Sequence, residues 1–300
     1  MSTVEQSDLA GIPGGTAPED VARLRRARRV ELLRGLLHSK TFMIGAAMVT
    51  VWVICALTWR WITPYSPQAV NPIDTLKAPS GSHYFGTDNL GRDVFSRVIA
   101  GAAPVLTVAP LATALGLLGG ITLGLLTGYY RGWVDDVFSR LVDALLAFPL
   151  IILAVLVLAS LGRSPRNVIL VIGIIFTPLI ARTVRSAVLI EREREYVAAA
   201  RLRGESGPHI MVFEILPNIT GPITVEGTIR LGYAIFAAAT LAFLGLGIQD
   251  PSPDWGLQVA NARAYVQIAW WMAIFPALAL STLVVGVNLI ADGIRRVLEE

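Results

Sequence analysis

Residues 191–218 read EREREYVAAARLRGESGPHIMVFEILPN, a polar stretch rich in charged residues and alanine. The rest of the chain is strongly apolar, since 54% of the 300 residues are hydrophobic and 16% are charged. Soluble domains carry roughly 25% charged residues, and several windows here approach the roughly 20 apolar residues that a helix needs to cross a bilayer. The composition therefore predicts an all-α polytopic membrane protein with one polar island. We call this island the elbow (residues 191–218).

Six apolar windows predict six transmembrane helices, at residues 42–62, 102–129, 137–161, 167–190, 219–246 and 268–291. They divide the chain into a disordered tail (1–22), a basic juxtamembrane segment (23–41), a first transmembrane helix (42–62), an extracytoplasmic loop with an amphipathic helix (63–101), a five-helix core (102–291) and a second tail (292–300).

The distribution of cationic residues predicts the orientation. If the N-terminus is cytoplasmic, that side of the membrane receives 17 Lys and Arg residues and the opposite side receives 7. Cytoplasmic loops carry the excess of Lys and Arg, so both termini and the elbow are predicted to be cytoplasmic.

The elbow itself is predicted to contain two short helices. Residues 191–203 are good helix formers, and Gly204 should end the first helix. Gly207 and Pro208 suggest a bend before a second helix at 209–215, which Pro217 should stop. From these residues alone, the elbow is either a solvated charged loop or a surface that docks into another protein.

The elbow resembles the EAA loop of ABC importer permeases, whose pattern is E-A-A-x-x-x-G-x9-I-x-L-P. The matching positions are Ala199, Ala200, Gly204, Leu216 and Pro217. Ala198 and Glu214 stand where the pattern has Glu and Ile, and Glu195, one turn earlier, is a candidate substitute for the missing Glu. The resemblance implies that the loop seats in a cleft of an ATP-hydrolysing subunit. The residues implied for this contact are Glu195, Tyr196, Ala199, Ala200, Arg203, Gly204, Leu216 and Pro217.

A second stretch, HYFGTDNLGRDVFSRVIAGA at residues 83–102, resembles the FGTDxLGRDxxSRxxxGA signature of C-type permeases for dipeptides, oligopeptides and nickel. Its signature residues are Phe85, Gly86, Thr87, Asp88, Gly91, Arg92 and Asp93. We expect an amphipathic helix capped by Thr87 or Asp88, with ion pairs Asp88–Arg92 and Asp93–Arg97 at spacing i, i+4.

A third stretch, LAFLGLGIQDPSPDWGLQVANAR at residues 241–263, is similar to the LSFLGLGxxPPxPxWGxxL loop of the same family. It implies an irregular outer gate loop around residues 247–267 that lines an aqueous cavity. The residues implied for the gate are Gly245, Gly247, Pro251, Pro253 and Trp255.

Together the resemblances imply a type I ABC importer transmembrane subunit, multi-pass in a bacterial or archaeal cytoplasmic membrane. They imply a homologous second permease as heterodimer partner, two ATP-binding subunits, an extracytoplasmic substrate-binding protein and a peptide cargo, with nickel, haem or glutathione as the alternatives. No nucleic-acid partner is implied. Neither Lys40 nor Lys77 follows the glycines of a P-loop. The chain is therefore not expected to be an enzyme or to bind a cofactor, and ATP and Mg²⁺ belong to the partners.

Two features inside the spans leave alternatives open. Glu226 and Arg230 lie four residues apart in the fifth window, as a pair that either lines the translocation path or is structural. A glycine every four residues, from Gly116 to Gly128, puts one smooth face on the second span. That face permits close packing, either within the subunit or against another one.

Overall fold

The computed structural model describes residues 34–299, so the predicted tail 1–22 and residues 23–33 of the basic segment lie outside the described residues. The described part is helical apart from turns and one isolated bridge between Thr87 and Asp93. Its main helices are α1 (Lys40–Ile62), α2 (Val94–Tyr130), α3 (Gly132–Leu146), α4 (Leu150–Leu161), α5 (Pro165–Glu191), α6 (Glu195–Leu202), α7 (Thr220–Phe243), α8 (Trp255–Ala262) and α9 (Trp271–Glu299). Shorter helical pieces lie at Pro72–Asp74, Gly207–His209, Ile210–Ile215 and Leu216–Asn218.

Four of the described helices, α1, α2, α5 and α9, are long and apolar enough to cross a membrane. The prediction of a continuous third span at 137–161 is wrong, because α3 and α4 meet at an angle of 89°. The break precedes Pro149, which caps α4 and whose ring disfavours helical backbone in the residue before it. With 12 residues, α4 is about 18 Å long and too short to cross alone. If the bent pair counts as one span, the described residues hold five candidate spans. The remaining predicted helix, at 219–246, corresponds to α7.

Helix α2 begins eight residues before the predicted span. Its N-cap is Asp93, whose carboxylate accepts a hydrogen bond of 2.8 Å from the backbone N–H of Ser96. The caps predicted at Thr87 and Asp88 are therefore wrong, and the helix that starts at Val94 runs without interruption into the span. An N-cap residue has an extended backbone, and its side chain accepts a hydrogen bond from the first turn of the helix. Asp93 meets both requirements.

The glycine ladder of α2 packs against α5 within the subunit. A Cβ atom at Gly120 would lie 2.5 Å from Cβ of Ile180, and at Gly124 it would lie 2.6 Å from Cβ of Val184. Gly116 and Gly128 meet α5 in the same way. Because no side chain fits between these backbones, the glycines let the two long helices form one tightly packed unit. Of the two alternatives for this face, the structure shows packing within the subunit.

Candidate functional site

The first helix of the elbow is shorter than predicted. Helix α5 ends at Glu191 and α6 begins only at Glu195, so the prediction of one helix over 191–203 is wrong. Between them, Arg192 caps α5 and turns its guanidinium to the end of α2, where Nη1 donates to the carbonyl of Tyr129 at 2.6 Å. Gly204 ends this part of the elbow as predicted, with a φ of +78° that favours glycine.

The second arm of the elbow consists of three consecutive helical pieces from Gly207 to Asn218, and the middle one is a π-helix. Gly207 and Pro208 open this arm, although the sequence suggested only a bend. Pro217 does not stop it. The helical backbone continues through Pro217 to Asn218, and the break comes at Ile219.

The residues implied for coupling fall into two groups. Glu195, Ala199, Arg203, Gly204 and Pro217 are exposed, whereas Tyr196 and Leu216 are half-buried and Ala200 is fully buried. Ala200 belongs, with Val197, Ile210 and Ile215, to the apolar core that holds the two arms of the elbow together. An outside partner can therefore reach the first group directly, while Ala200 supports the shape of the elbow.

Three exposed apolar side chains of the elbow, Leu202, Val212 and Phe213, were not identified from the sequence. Leu202 is 90% exposed at the end of α6, and Phe213 is 65% exposed on the second arm. Leu202 lies between Arg201 and Arg203, and an apolar residue in a charged, solvent-facing helix is the signal that identifies it.

Tyr196 fastens α6 to the end of α5. Its hydroxyl donates to Oε1 of Glu191 at 2.9 Å. Burial and the adjacent carboxylate raise the pKa of Tyr196 to about 12, so the phenol stays neutral and remains a donor at physiological pH.

The unusual Glu214 has an internal partner. Oε1 of Glu214 lies 3.4 Å from Nη2 of Arg203, and the same guanidinium nitrogen contacts Glu205 at 2.7 Å. These three charges join the turn after α6 to the second arm. Since the side chain of Arg203 is more than half exposed, the pairs set geometry and contribute little stability.

The signature stretch 83–102 lies at the opposite end of the bundle and is largely buried. Asp88 accepts from Nε of Arg92 at 2.6 Å, which confirms the predicted pair. Arg92 also donates to Asp250 of the 247–267 loop at 2.8 Å. Gly91 has a φ of +70°, and a Cβ there would lie 1.8 Å from the carbonyl oxygen of Asn71. The remaining signature residues are half-buried or buried too, as with Phe85, Gly86, Thr87 and Asp93.

The predicted Asp93–Arg97 ion pair is wrong. The carboxylate of Asp93 is occupied by the N–H and hydroxyl of Ser96 and by Nδ1 of His83, the last at 2.9 Å. Arg97 is almost completely buried and donates to two backbone carbonyls, those of Pro67 at 2.9 Å and Ser252 at 3.0 Å. Buried guanidinium donors need such acceptors. Here the two hydrogen bonds connect α2 to the segment around Pro67 and to the 247–267 loop.

The 247–267 loop is packed onto α2. Trp255 is fully buried, donates from Nε1 to the carbonyl of Val98 at 2.8 Å, and meets Trp52 edge to face at 4.8 Å. Gly247 is buried, Gly245 and Pro253 are half-buried, and Pro251 is exposed. Asp254 caps α8, and its burial raises the pKa of its carboxyl to about 6.

Glu226 and Arg230 form an ion pair on α7, with Nε of Arg230 at 2.6 Å from Oε1 of Glu226. Glu226 is buried, and the guanidinium of Arg230 lies 5.6 Å from the ring centroid of Tyr233. Each charge thus has a neighbour within its own helix.

A family model described as "Binding-protein-dependent transport system inner membrane component" matches residues 120–300. The dipeptide transport system permease protein DppC of Alkalihalophilus pseudofirmus is 39% identical over 287 residues, which are 96% of this chain and 94% of that protein. The glutathione transport system permease protein GsiD of Escherichia coli is 42% identical over 258 residues, which are 86% of this chain and 85% of that protein.

A solved chain of the MetNI methionine ABC transporter, in an inward-facing conformation, matches with a TM-score of 0.56 at 21% identity. The match covers 67% of this chain and 95% of that chain, and it shows the type I ABC importer permease fold. With the elbow, the two packed loops and the apolar helices in place, the chain belongs to the family of binding-protein-dependent transport system inner membrane components, the membrane permeases of ABC transporters, which are not themselves catalytic.

Proposed function

We propose that this chain forms half of the translocation pathway in an ATP-driven importer of di- or oligopeptides. The observation that carries the proposal is the elbow, which exposes small and apolar side chains between arginines at one end of a helical bundle that has no P-loop. Such a surface fits a groove in another protein, because small side chains allow close approach and charges fix orientation. The name of the DppC relative supports a peptide cargo.

The proposed topology has six spans with both termini in the cytoplasm. The spans are α1, α2, the bent pair α3–α4, α5, α7 and α9, and the excess of 17 cationic residues over 7 supports this orientation. The elbow then lies in the cytoplasm, and the 63–101 and 247–267 loops lie outside. The proposed division of the chain remains the predicted one, with tails at 1–22 and 292–300 and a core at 102–291.

The proposed complex contains this chain, a homologous second permease, two ATP-binding subunits that carry ATP and Mg²⁺, and an extracytoplasmic substrate-binding protein. The exposed elbow residues would contact an ATP-binding subunit, with Glu195 in place of the Glu that Ala198 replaces. The 247–267 loop would form the outer gate through its surface rather than through Trp255, which is buried. Glu226 and Arg230 would support the helix next to the path.

A reconstitution experiment tests this function. The permease is co-expressed with the second permease and the ATP-binding subunits, placed in liposomes with the binding protein, and supplied with a radiolabelled dipeptide. We expect uptake that requires ATP, the binding protein and this chain. Uptake that proceeds without ATP hydrolysis would contradict the proposal.

Glutathione is the second candidate cargo, because the GsiD relative is 42% identical to this chain. Glutathione is itself a tripeptide, so both cargoes belong to one chemical class. Competition between labelled dipeptide and unlabelled glutathione, measured in the same liposomes and on the isolated binding protein, distinguishes the two. A dipeptide importer should be blocked by excess dipeptide and not by glutathione.

A further inference from the structure

The elbow contacts the end of α2, a helix that lies more than 60 residues away in the sequence. Arg192 donates to the carbonyls of Gly128 at 3.3 Å and Tyr129 at 2.6 Å. The guanidinium carbon of Arg201 lies 5.4 Å from the ring centroid of Tyr129, within the range of a cation–π contact. The elbow is thus attached to α2 as well as to α5 and α7, which flank it in the chain.

Gly207 brings the second arm of the elbow onto the same two rings. A Cβ atom on Gly207 would lie 2.7 Å from Oη of Tyr130 and 3.1 Å from Cε1 of Tyr129. The two tyrosines also pack against each other, edge to face, with ring centroids 5.1 Å apart. Both arms of the elbow therefore rest on one aromatic corner, which consists of Tyr129 and Tyr130.

The other end of α2 holds the 247–267 loop. Trp255 donates to the carbonyl of Val98, and Gln258 donates to the carbonyl of Arg97 at 3.1 Å. Arg97 in turn donates to the carbonyl of Ser252. A Cβ on Gly101 would lie 2.4 Å from the carbonyl oxygen of Pro253, so the loop lies directly on the helix backbone.

Helix α2 joins these two attachments without a break. Its 37 residues span about 55 Å, it stays helical through Pro104 and Pro110, and its glycine ladder fixes it to α5. A continuous helix packed along another is stiff compared with a loop, so a displacement at one end is carried to the other.

We propose that α2 is the element that transmits movement of the elbow to the 247–267 loop, with Tyr129 and Tyr130 as the positioning residues at the elbow end. The inference rests on the proposed import function. It assigns to the aromatic corner a role in coupling, although neither tyrosine belongs to the elbow. Loss of the corner should leave nucleotide hydrolysis intact and remove the response of the loop.

A cysteine reporter in the 247–267 loop tests the transmission in the fully assembled transporter. Cys55 is the single cysteine of the chain and is replaced by Ala, and the exposed Ala264 is changed to Cys. Its reaction with a membrane-impermeant maleimide is measured on the band of this chain, with and without trapping by ATP and vanadate. In the otherwise unaltered protein we expect trapping to change the labelling rate by about fivefold or more.

The double variant Tyr129→Leu/Tyr130→Leu should trap nucleotide normally and lose most of this change in labelling rate. The matched Tyr129→Phe/Tyr130→Phe variant keeps both rings, and therefore the packing and the cation–π contact, and should retain the change. Gln258→Met removes the hydrogen bond to the carbonyl of Arg97 with a side chain of similar volume. Because Trp255 and Arg97 still hold the loop, this variant should reduce the change in labelling rate, without touching the elbow.

An unchanged labelling response in the double Leu variant, or in Gln258→Met if the Leu variant does not assemble, would overturn the inference. A different result addresses the proposed function. If the unaltered transporter shows no ATP-dependent uptake, the importer itself is refuted, whatever the reporter does.

Discussion

The elbow and the two loops at the opposite end of the bundle both carry family motifs, but they place their motif residues differently. In the elbow, Ala199, Arg203, Gly204 and Pro217 are exposed. In the loops, Asp88, Arg92, Asp93 and Trp255 are buried, and Arg92 and Trp255 also bond to distant segments. Most motif residues of the elbow are thus open to solvent, as the proposed docking requires, whereas the motif residues of the loops form the scaffold that fixes two loops to α2. Mutations in the two regions should therefore fail in different assays.

The largest difference in folding is expected between Ala substitutions at Gly91 and Gly204, two glycines that share a positive φ. Gly91→Ala places a Cβ 1.8 Å from the carbonyl oxygen of Asn71, and backbone cannot move aside cheaply, so the protein should not fold. Gly204→Ala meets open space and carries only the left-handed strain of roughly 1–2 kcal/mol. Detergent-solubilised yield and gel-filtration profile measure the contrast. Equal yields for the two variants would contradict the assignment of Gly91 to a rigid scaffold.

A second contrast compares two arginines. Arg97→Met leaves the buried carbonyl of Pro67 and the partly buried carbonyl of Ser252 without their donor. This loss costs about 3 kcal/mol and should lower the melting temperature of the assembled transporter by several degrees. Arg203→Met removes partly exposed ion pairs and should change the melting temperature little. The order is the test: if Arg203→Met destabilises the complex more than Arg97→Met, the two regions have been assigned the wrong roles.

A third prediction concerns the exposed apolar residue of the elbow. Leu202→Glu does not touch the core and should leave yield and melting temperature unchanged, since the side chain is 90% exposed. A charge buried in an apolar interface costs about 2–3 kcal/mol, so the affinity for the ATP-binding subunits should fall by about 30- to 140-fold. Affinity purification through this chain, followed by quantification of the co-eluting ATP-binding subunits, measures it.

The matched control for Leu202→Glu is a glutamate at an exposed apolar position elsewhere in the chain, Ile73→Glu in the loop before α2, where the side chain is 83% exposed. It should have no effect on the retention of the ATP-binding subunits. Normal retention with Leu202→Glu would show that the elbow docks through other residues.

The sequence predicted the parts of this comparison that depend on neighbours in the chain. Gly204 ends α6 as its position suggested, and Asp88 and Arg92 pair at i, i+4. The partners of Arg97 and Trp255 lie 30 to 157 residues away, and local spacing contains no information on such contacts. The bend between α3 and α4 has a local cause, Pro149, which the apolar composition of the window concealed. The sequence did not identify the N-cap of α2, because Thr87, Asp88, Asn89 and Asp93 all have side chains suited to capping. Tertiary packing selects Asp93 among them.

The last prediction concerns Asp254, where the two regions differ in their dependence on pH. Burial raises the pKa of this carboxyl to about 6, so the folded state binds its proton more tightly than the unfolded chain does. Its contribution to stability is then fully present below about pH 4 and is lost as the pH rises to about 6, a difference of about 3 kcal/mol. Tyr196 in the elbow titrates near 12 and adds no slope in this range.

Asp254→Asn keeps an N-cap acceptor for Leu257 and removes the ionisation, so it should be at least as stable as the unaltered protein at pH 7 and should show a flatter melting profile between pH 4 and pH 6. Asp254→Ala also removes the ionisation but loses the cap, which costs about 1 kcal/mol at every pH. The difference between the Asn variant and the unaltered protein, followed by thermal unfolding of the assembled transporter, isolates this one group from the other titrating residues. A pH profile with the same slope in both proteins would show that Asp254 is hydrated, and that the 247–267 loop is less firmly closed over α2 than its buried contacts indicate.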